Sequence, residues 1–239
     1  MAYIENRWSF PYAVEVEQYH TARYGAPGQK RQPKRKPTPE QVEHQNQKNK
    51  EKRCRHRLRA HFDVDDYFVT MTYARERRPA DMAAAKRDFR NFIRRLQNDY
   101  RRRGKPLQWI RNIEVGSRGA WHIHLVINRI PDLDLMIRKA WMNGRVTHQL
   151  LYEKGEFREL AAYMTKTPKT DRRIAESNYS TSRNLPLPEP KRKRIRWRSW
   201  RKIRIPAGWY LDPEAVHEGI NPITGHRYRK YTLLRYRRE

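Results

Sequence analysis

The segment Trp121-His122-Ile123-His124-Leu125-Val126-Ile127 decides how this chain reads. Trp121, Ile123, Leu125 and Ile127 recur at every second position, the pattern of a β-strand with one apolar face. Residues two apart on a strand share a face, so His122 and His124 project together, opposite the apolar set. Two neighbouring imidazoles on a sheet surface can take one divalent metal between them. An isolated His-x-His is more often a pair of solvated side chains, so the flanking sequence has to decide.

One strand upstream, Leu107 to Val115 sets Ile113 and Val115 on one face and Glu114 on the other. Gly116-Ser-Arg-Gly-Ala120 follows, a turn-rich connection that reads as a hairpin. With that loop, Val115 faces Trp121 and Glu114 faces His122. Directly opposed Cβ atoms lie about 4.5–5.5 Å apart. A slip of one residue would move Glu114 to the wrong face, and the apolar pattern opposes it. Glu114, His122 and His124 then form a carboxylate-plus-two-imidazole set that leaves coordination positions open, as a catalytic metal needs.

Downstream, Glu156 to Lys166 reads as a helix whose buried stripe is Phe157, Leu160, Ala161 and Met164. Tyr163 and Lys166 fall outside that stripe and share a neighbouring face. A free phenol ionises near pH 10 and is a poor nucleophile at neutral pH. A lysine one turn away favours the phenolate and can also hold a phosphate oxygen. Tyr-x-x-Lys alone is a weak signal, and a surface pair on a basic helix is its ordinary meaning.

Together, Phe68-Val-Thr-Met-Thr-Tyr73, then Glu114 with Trp-His-Ile-His-Leu-Val-Ile, then Tyr163-Met-Thr-Lys166 resemble the three motifs of HUH endonucleases. More narrowly they resemble the single-tyrosine rolling-circle replication initiators, the Rep proteins of small plasmids, phages and single-stranded DNA viruses. The resemblance covers roughly residues 60–170. It implies that His122, His124 and Glu114 hold Mg²⁺ or Mn²⁺. It implies that Tyr163 attacks a DNA phosphate and stays linked to the 5′ end, freeing a 3′ hydroxyl. Lys166 matches the lysine that assists. The implied partner is single-stranded DNA at a replication origin, a hairpin-borne one included. Relaxases and transposases share this chemistry, and a basic nucleic-acid-binding protein without catalysis is the alternative of another class.

Composition agrees with a polyanionic partner. The formal net charge is +28 over 239 residues, a field that attracts nucleic acid. At 37% hydrophobic, the chain can still bury a core over its middle. Cys54 is the single cysteine, which excludes an intramolecular disulfide and a zinc-cysteine cluster. No run of 18 apolar residues and no signal-like start appears, so a soluble protein in the cytoplasm of a prokaryotic host is expected, without a membrane partner. No Gly-x-x-x-x-Gly-Lys-[Ser/Thr] loop exists either, so a host helicase and polymerase would have to act with it.

The sequence divides into a basic N-terminal extension and linker (1–60), a nuclease core (61–170) and a basic C-terminal extension (171–239). Residues 1–28 show no clear period, and 39–60 is helix-compatible with little apolar face. Tyr67 to Tyr73 reads as a strand with Val69 and Met71 inward. Thr70 and Thr72 then share the metal-ligand face and are candidate DNA contacts, although threonine is also simply a good strand former. A helix follows from about Asp81 to Arg103, buried through Met82, Ala85, Phe89, Phe92, Ile93, Leu96 and Tyr100, and stopped by Gly104 and Pro106. Asp132 reads as the cap of a short helix ending near Asn143-Gly144. Arg145 to Tyr152 reads as a strand in which His148 is structural.

The order strand, helix, strand, strand, helix, strand predicts an α+β fold: a βαββαβ antiparallel sheet, ferredoxin-like, with helices on one face. The open face is left for metal and DNA, and the tyrosine helix must cross it. Beyond the core, Asn178 to Leu185 looks like a loop. Lys191 to Arg204 carries nine basic residues among fourteen, and Ile195 and Trp197 alternate with arginines, which predicts a strand with one basic face. Interleaved basic and aromatic residues suit single strands. Lys169, Arg183, Arg192, Lys193, Arg194, Arg196 and Trp197 are the candidate DNA contacts here. Gly208 to Leu211 and His226 to Tyr236 read as further strands packed on the core.

Overall fold

Alternation in the middle of the chain is realised as the elements it predicts. The computed structural model describes residues 3–20, 36–116, 119–151, 157–166, 179–197, 200–221 and 224–236. It is an α+β protein with two antiparallel sheets and four helices among the described residues. The chain separates into two compact units. One gathers the described residues from Lys50 to Pro186, and the other joins those up to Asn49 with those from Leu187 onward.

In the first unit, β3 (Tyr67–Thr72), β4 (Trp109–Val115), β5 (Trp121–Ile127), β6 (Val146–Leu150) and β7 (Tyr179–Thr181) form a sheet of order β6-β3-β5-β4-β7. Helix α2 (Met82–Arg102) links β3 to β4, and α3 (Leu133–Ala140) links β5 to β6. Each crossover leaves room for one antiparallel strand between the strands it joins, the split arrangement of the expected βαββαβ core. Asp81 starts α2 by accepting from the Ala84 amide at 2.7 Å. Gly104 at φ +62 ends it, a left-handed position that favours glycine. Met82, Ala85, Phe89, Phe92, Leu96 and Tyr100 of α2 bury against Val69, Met71, Ile113, Ile123, Leu125 and Ile127.

The opposite sheet face is not open along its whole length. Ile110, Val126 and Phe68 share the parity of the histidines but are apolar, so they need cover. The C-terminal half of α1 (Pro39–His61) supplies it with Cys54 and Leu58, followed by Phe62. Helix α4 (Arg158–Thr165) adds Ala161 and Met164, preceded by Phe157. Helices therefore lie on both faces, α2 and α3 on one and α1 and α4 on the other, and only the histidine end of the second face is left for chemistry. The weak apolar face expected of 39–60 is a real but local stripe at its C-terminal end.

Three local expectations change. Asp132 stands at the start of α3 at φ 57 with no side-chain cap; its carboxylate instead lies 3.8 Å from Arg103. Helix α3 ends at Ala140, and Gly144 has another task. It crosses the end of β3 so closely that a Cβ would sit 2.3 Å from the Thr72 carbonyl oxygen. The segment read as a loop contains β7, which pairs with β4 through Tyr179, Ser180 and Thr181.

The second unit is a six-stranded sheet. β1 (Tyr3–Ser9) and β2 (Ala13–His20) form a hairpin. β8 (Lys191–Ile195), β9 (Trp209–Leu211), β10 (His217–Ile220) and β11 (Arg227–Arg235) complete it in the order β10-β11-β2-β1-β8, with β9 on β11. The C-terminal strands expected at 208–211 and 226–236 are present, and their pairing partners are N-terminal strands. The aperiodic start of the chain hides a hairpin because both sides of it are buried: Ile4, Trp8, Ala13 and Glu15 on one, Tyr3, Val14 and Val16 on the other. Gln18 donates to Glu5 at 2.6 Å and accepts from Arg229 Nε at 2.9 Å, tying β1, β2 and β11 in one register.

Candidate functional site

The β4–β5 hairpin closes as its loop predicts. Gly116 N–H donates to the Ala120 carbonyl at 2.8 Å, and Gly119 takes φ +68. Val115 then pairs with Trp121, Glu114 with His122 and Asn112 with His124. From the other side, Thr70 pairs with His124 and Thr72 with His122. Glu114, His122, His124, Thr70, Thr72 and Asn112 therefore share one face of three adjacent strands.

Side chains converge on His124, which is 8% exposed. Its Nε2 lies 2.8 Å from the Tyr163 hydroxyl and 3.5 Å from Glu114 Oε2. Its Nδ1 lies 3.2 Å from Thr70 Oγ1. The Phe68 ring lies parallel to it at 5.9 Å between centroids. Tyr163 meets the imidazole edge-on at 5.0 Å. The His122 ring runs nearly parallel to that of His124 at 6.2 Å, the spacing of i and i+2 on a strand. Asn112, fully buried, donates through Nδ2 to Glu114 Oε1 at 3.1 Å.

Helix α4 brings Tyr163 there because Phe157, Ala161 and Met164 anchor its other side in the core. Tyr163 itself remains 38% exposed, so a substrate can reach its oxygen. Its phenol is pushed up to about 12, first by burial and then by the negative charge of Glu114. The lowering expected from Lys166 is not seen. Lys166 caps the helix, its amide donating to the Tyr163 carbonyl at 3.2 Å, and its side chain is exposed. His122 is held below the ordinary imidazole value by burial and by His124, against the pull of Glu114, and Arg78 pushes the same way as burial. A depressed imidazole is neutral at pH 7 and offers a lone pair.

As the side chains lie, no three His, Cys, Asp or Glu groups among the described residues stand close enough to hold an ion. The donor chemistry nonetheless fits a hard divalent cation: one carboxylate and two imidazoles on one face, two of them already 3.5 Å apart. The same His124 nitrogen that a metal would use is occupied here by the Tyr163 hydroxyl.

The other expected residues lie elsewhere or do other work. Thr72 Oγ1 donates to the Arg145 carbonyl at 3.3 Å. Arg183 is exposed just after β7. Lys169 falls outside the described residues. Arg192, Lys193 and Arg194 are exposed on β8, an edge strand, and Arg196 and Trp197 follow it. Consecutive basic residues on a strand alternate sides, so this edge is basic on both faces rather than one. Trp197 is 53% exposed and carries the Arg201 guanidinium 4.1 Å above its ring. Asn112 and Phe68 escape sequence reasoning as site residues, although their parity with Glu114 and Thr70 places them on this face.

Residues 66–168 match a family model of replication-associated proteins, described by its ORF2 members. The matched stretch runs from the start of β3 to just past α4 and so contains all of Glu114, His122, His124, Tyr163 and Lys166. No curated protein and no solved structure matches the chain. The family match supports a Rep-like protein of DNA replication initiation that interacts with DNA at an origin. Among the described residues no helix is long and apolar enough to cross a membrane.

Proposed function

We propose that this chain starts rolling-circle replication by nicking and joining single-stranded DNA through Tyr163. The observation that carries the reading is the meeting of three elements at one point: the Tyr163 hydroxyl from α4, His124 from β5 and Glu114 from β4. Glu114, His122 and His124 are the residues that would hold Mn²⁺ or Mg²⁺. When bound, the cation supplies positive charge to a phosphate oxygen and offsets the Glu114 carboxylate that now disfavours the phenolate.

The chain's own residues do the rest. Tyr163 Oη bonds to phosphorus while the bond from phosphorus to the 3′ oxygen breaks. The phenol proton ends on the departing 3′ hydroxyl, and the 5′ side stays on the tyrosine. Attack by a 3′ hydroxyl on that phosphotyrosine reverses the step and joins strands. Lys166, exposed at the helix end, offers a cation to a non-bridging phosphate oxygen. Arg183, Lys169 and the basic residues of β8 contribute phosphate-backbone contacts and take no part in the chemistry.

The test is a single-stranded origin oligonucleotide incubated with the chain and Mn²⁺, run on a denaturing gel. A covalent protein–DNA adduct and a free 3′ end are expected. Tyr163→Phe removes the attacking oxygen and little volume, so it should bind DNA and form no adduct. An adduct in Tyr163→Phe ends the assignment of the nucleophile. Binding without cleavage in the unsubstituted chain, across origin-derived oligonucleotides, favours a non-catalytic binding protein.

A further inference from the structure

We propose that Thr70 and Asn112 are positioning residues that select which atoms of His124 and Glu114 face the metal. The inference rests on the metal site proposed above and adds the side chains that aim it. Each ligand has two candidate atoms. His124 can ligate through Nδ1 or Nε2, and Glu114 through Oε1 or Oε2. Thr70 Oγ1 stands 3.2 Å from Nδ1, and the Asn112 amide takes Oε1 at 3.1 Å. The two remaining atoms, Nε2 and Oε2, are the pair that lies 3.5 Å apart. Tyr163 reaches the same Nε2 at 2.8 Å. Ligation through Nε2 requires the proton on Nδ1, and Thr70 Oγ1 is the acceptor that fixes it there.

Packing does not explain Asn112. It is fully buried, and its Oδ1 has no hydrogen-bond partner among the described residues. A buried acceptor left unsatisfied costs stability, and an apolar side chain of the same size would not. The orientation of the amide follows from its neighbour: only the NH₂ end can face a carboxylate. Strand register puts Asn112 opposite His124 and one same-face step from Glu114, where it can lean on the carboxylate. The sequence keeps an unfavourable group at the one place where it holds a ligand.

Mn²⁺ binding to the full chain, measured by titration calorimetry without DNA, tests this apart from activity. Thr70→Val and Asn112→Leu should each weaken Mn²⁺ on the order of 10–100-fold, the range seen when outer partners of metal ligands are removed. Thr70→Ser keeps the hydroxyl and should restore affinity. Asn112→Leu should melt no lower than the unsubstituted chain, whereas a merely structural asparagine would lower the melting temperature. The effects should also be non-additive: Asn112→Leu should change nothing further in Glu114→Ala, nor Thr70→Val in His124→Ala. If the unsubstituted chain takes up no Mn²⁺, the metal reading falls and this inference with it. If it binds Mn²⁺ and both variants bind equally well, the metal reading stands and the positioning role is overturned.

Discussion

Both sheets bury polar side chains, but they use them differently. In the sheet of the chain's two ends, Gln18 and Arg229 are 3% and 6% exposed and are satisfied by each other and their neighbours. Gln18 donates to Glu5, Arg229 Nε donates to Gln18, and Arg229 Nη2 donates to the Arg201 carbonyl at 2.7 Å. In the middle sheet, Asn112 spends its donor on Glu114 and leaves its acceptor unmet. A closed network fixes register, whereas an incomplete one gives up stability that an apolar side chain would have kept. The contrast separates a structural polar cluster from one kept for chemistry.

The largest effect that could break this contrast is on the site side. Chelator, or His124→Ala, should reduce adduct formation below detection on a denaturing gel, on the order of 10⁴-fold or more if ligands and nucleophile act as one unit. Most of the DNA affinity should survive, since it comes from basic residues elsewhere. Full cleavage in chelator would make the middle sheet's polar cluster structural as well.

Next in size is the alkaline limit of the middle unit. Burial raises the phenols of Tyr73, Tyr100 and Tyr179 well above the ordinary value, with Asp88, Asp66 and Cys54 respectively adding to the effect. The folded state therefore holds these protons more tightly than the unfolded one. That stability is complete below about pH 10 and is lost as pH rises beyond it, by about 1.4 kcal/mol per pH unit for each tyrosine. Thermal melts between about pH 9 and pH 12, a range that brackets the ordinary phenol value, check this by circular dichroism; a flat melting temperature across that range contradicts it. In the other unit Tyr231 is also raised by burial, with Glu5 adding to the shift.

A smaller effect sharpens the structural half. Arg229→Ala strands the buried Gln18 oxygen and should cost about 1–3 kcal/mol in urea unfolding. It should leave Mn²⁺ affinity unchanged, the reverse of the pattern expected for Asn112→Leu. The smallest effect concerns the basic edge. Replacing Arg192, Lys193, Arg194 and Arg196 with alanine should flatten the salt dependence of single-strand binding, by roughly 0.7 in log–log slope for each phosphate no longer neutralised. An unchanged slope would mean that β8 is a charged edge guarding against strand pairing and nothing more.

Much of the site was legible because the period of a strand is short and strict. Alternation in Trp121 to Ile127, with a five-residue turn before it, was enough to pair Glu114 with His122. The helical stripe of Phe157, Ala161 and Met164 was enough to turn Tyr163 out of the core. The same rule made Thr70 a face-mate of His124, but not its hydrogen-bond partner. Parity names a face; it does not say which atoms meet.

What the sequence by itself determined is therefore the middle sheet's order, the face that bears the histidines, and the basic character of the ends. Tertiary structure decided the rest. The hairpin of β1 and β2 was invisible because both its sides are buried, which erases a period of two. Helix α1 gained its place only because Ile110 and Val126, set on the histidine face by their own parity, required an apolar cover. The phenol of Tyr163 is raised rather than lowered because burial and Glu114, far away in sequence but near in space, outweigh the lysine one turn along its own helix. Local spacing fixes directions along an element; burial and charge at a point depend on every element that reaches it.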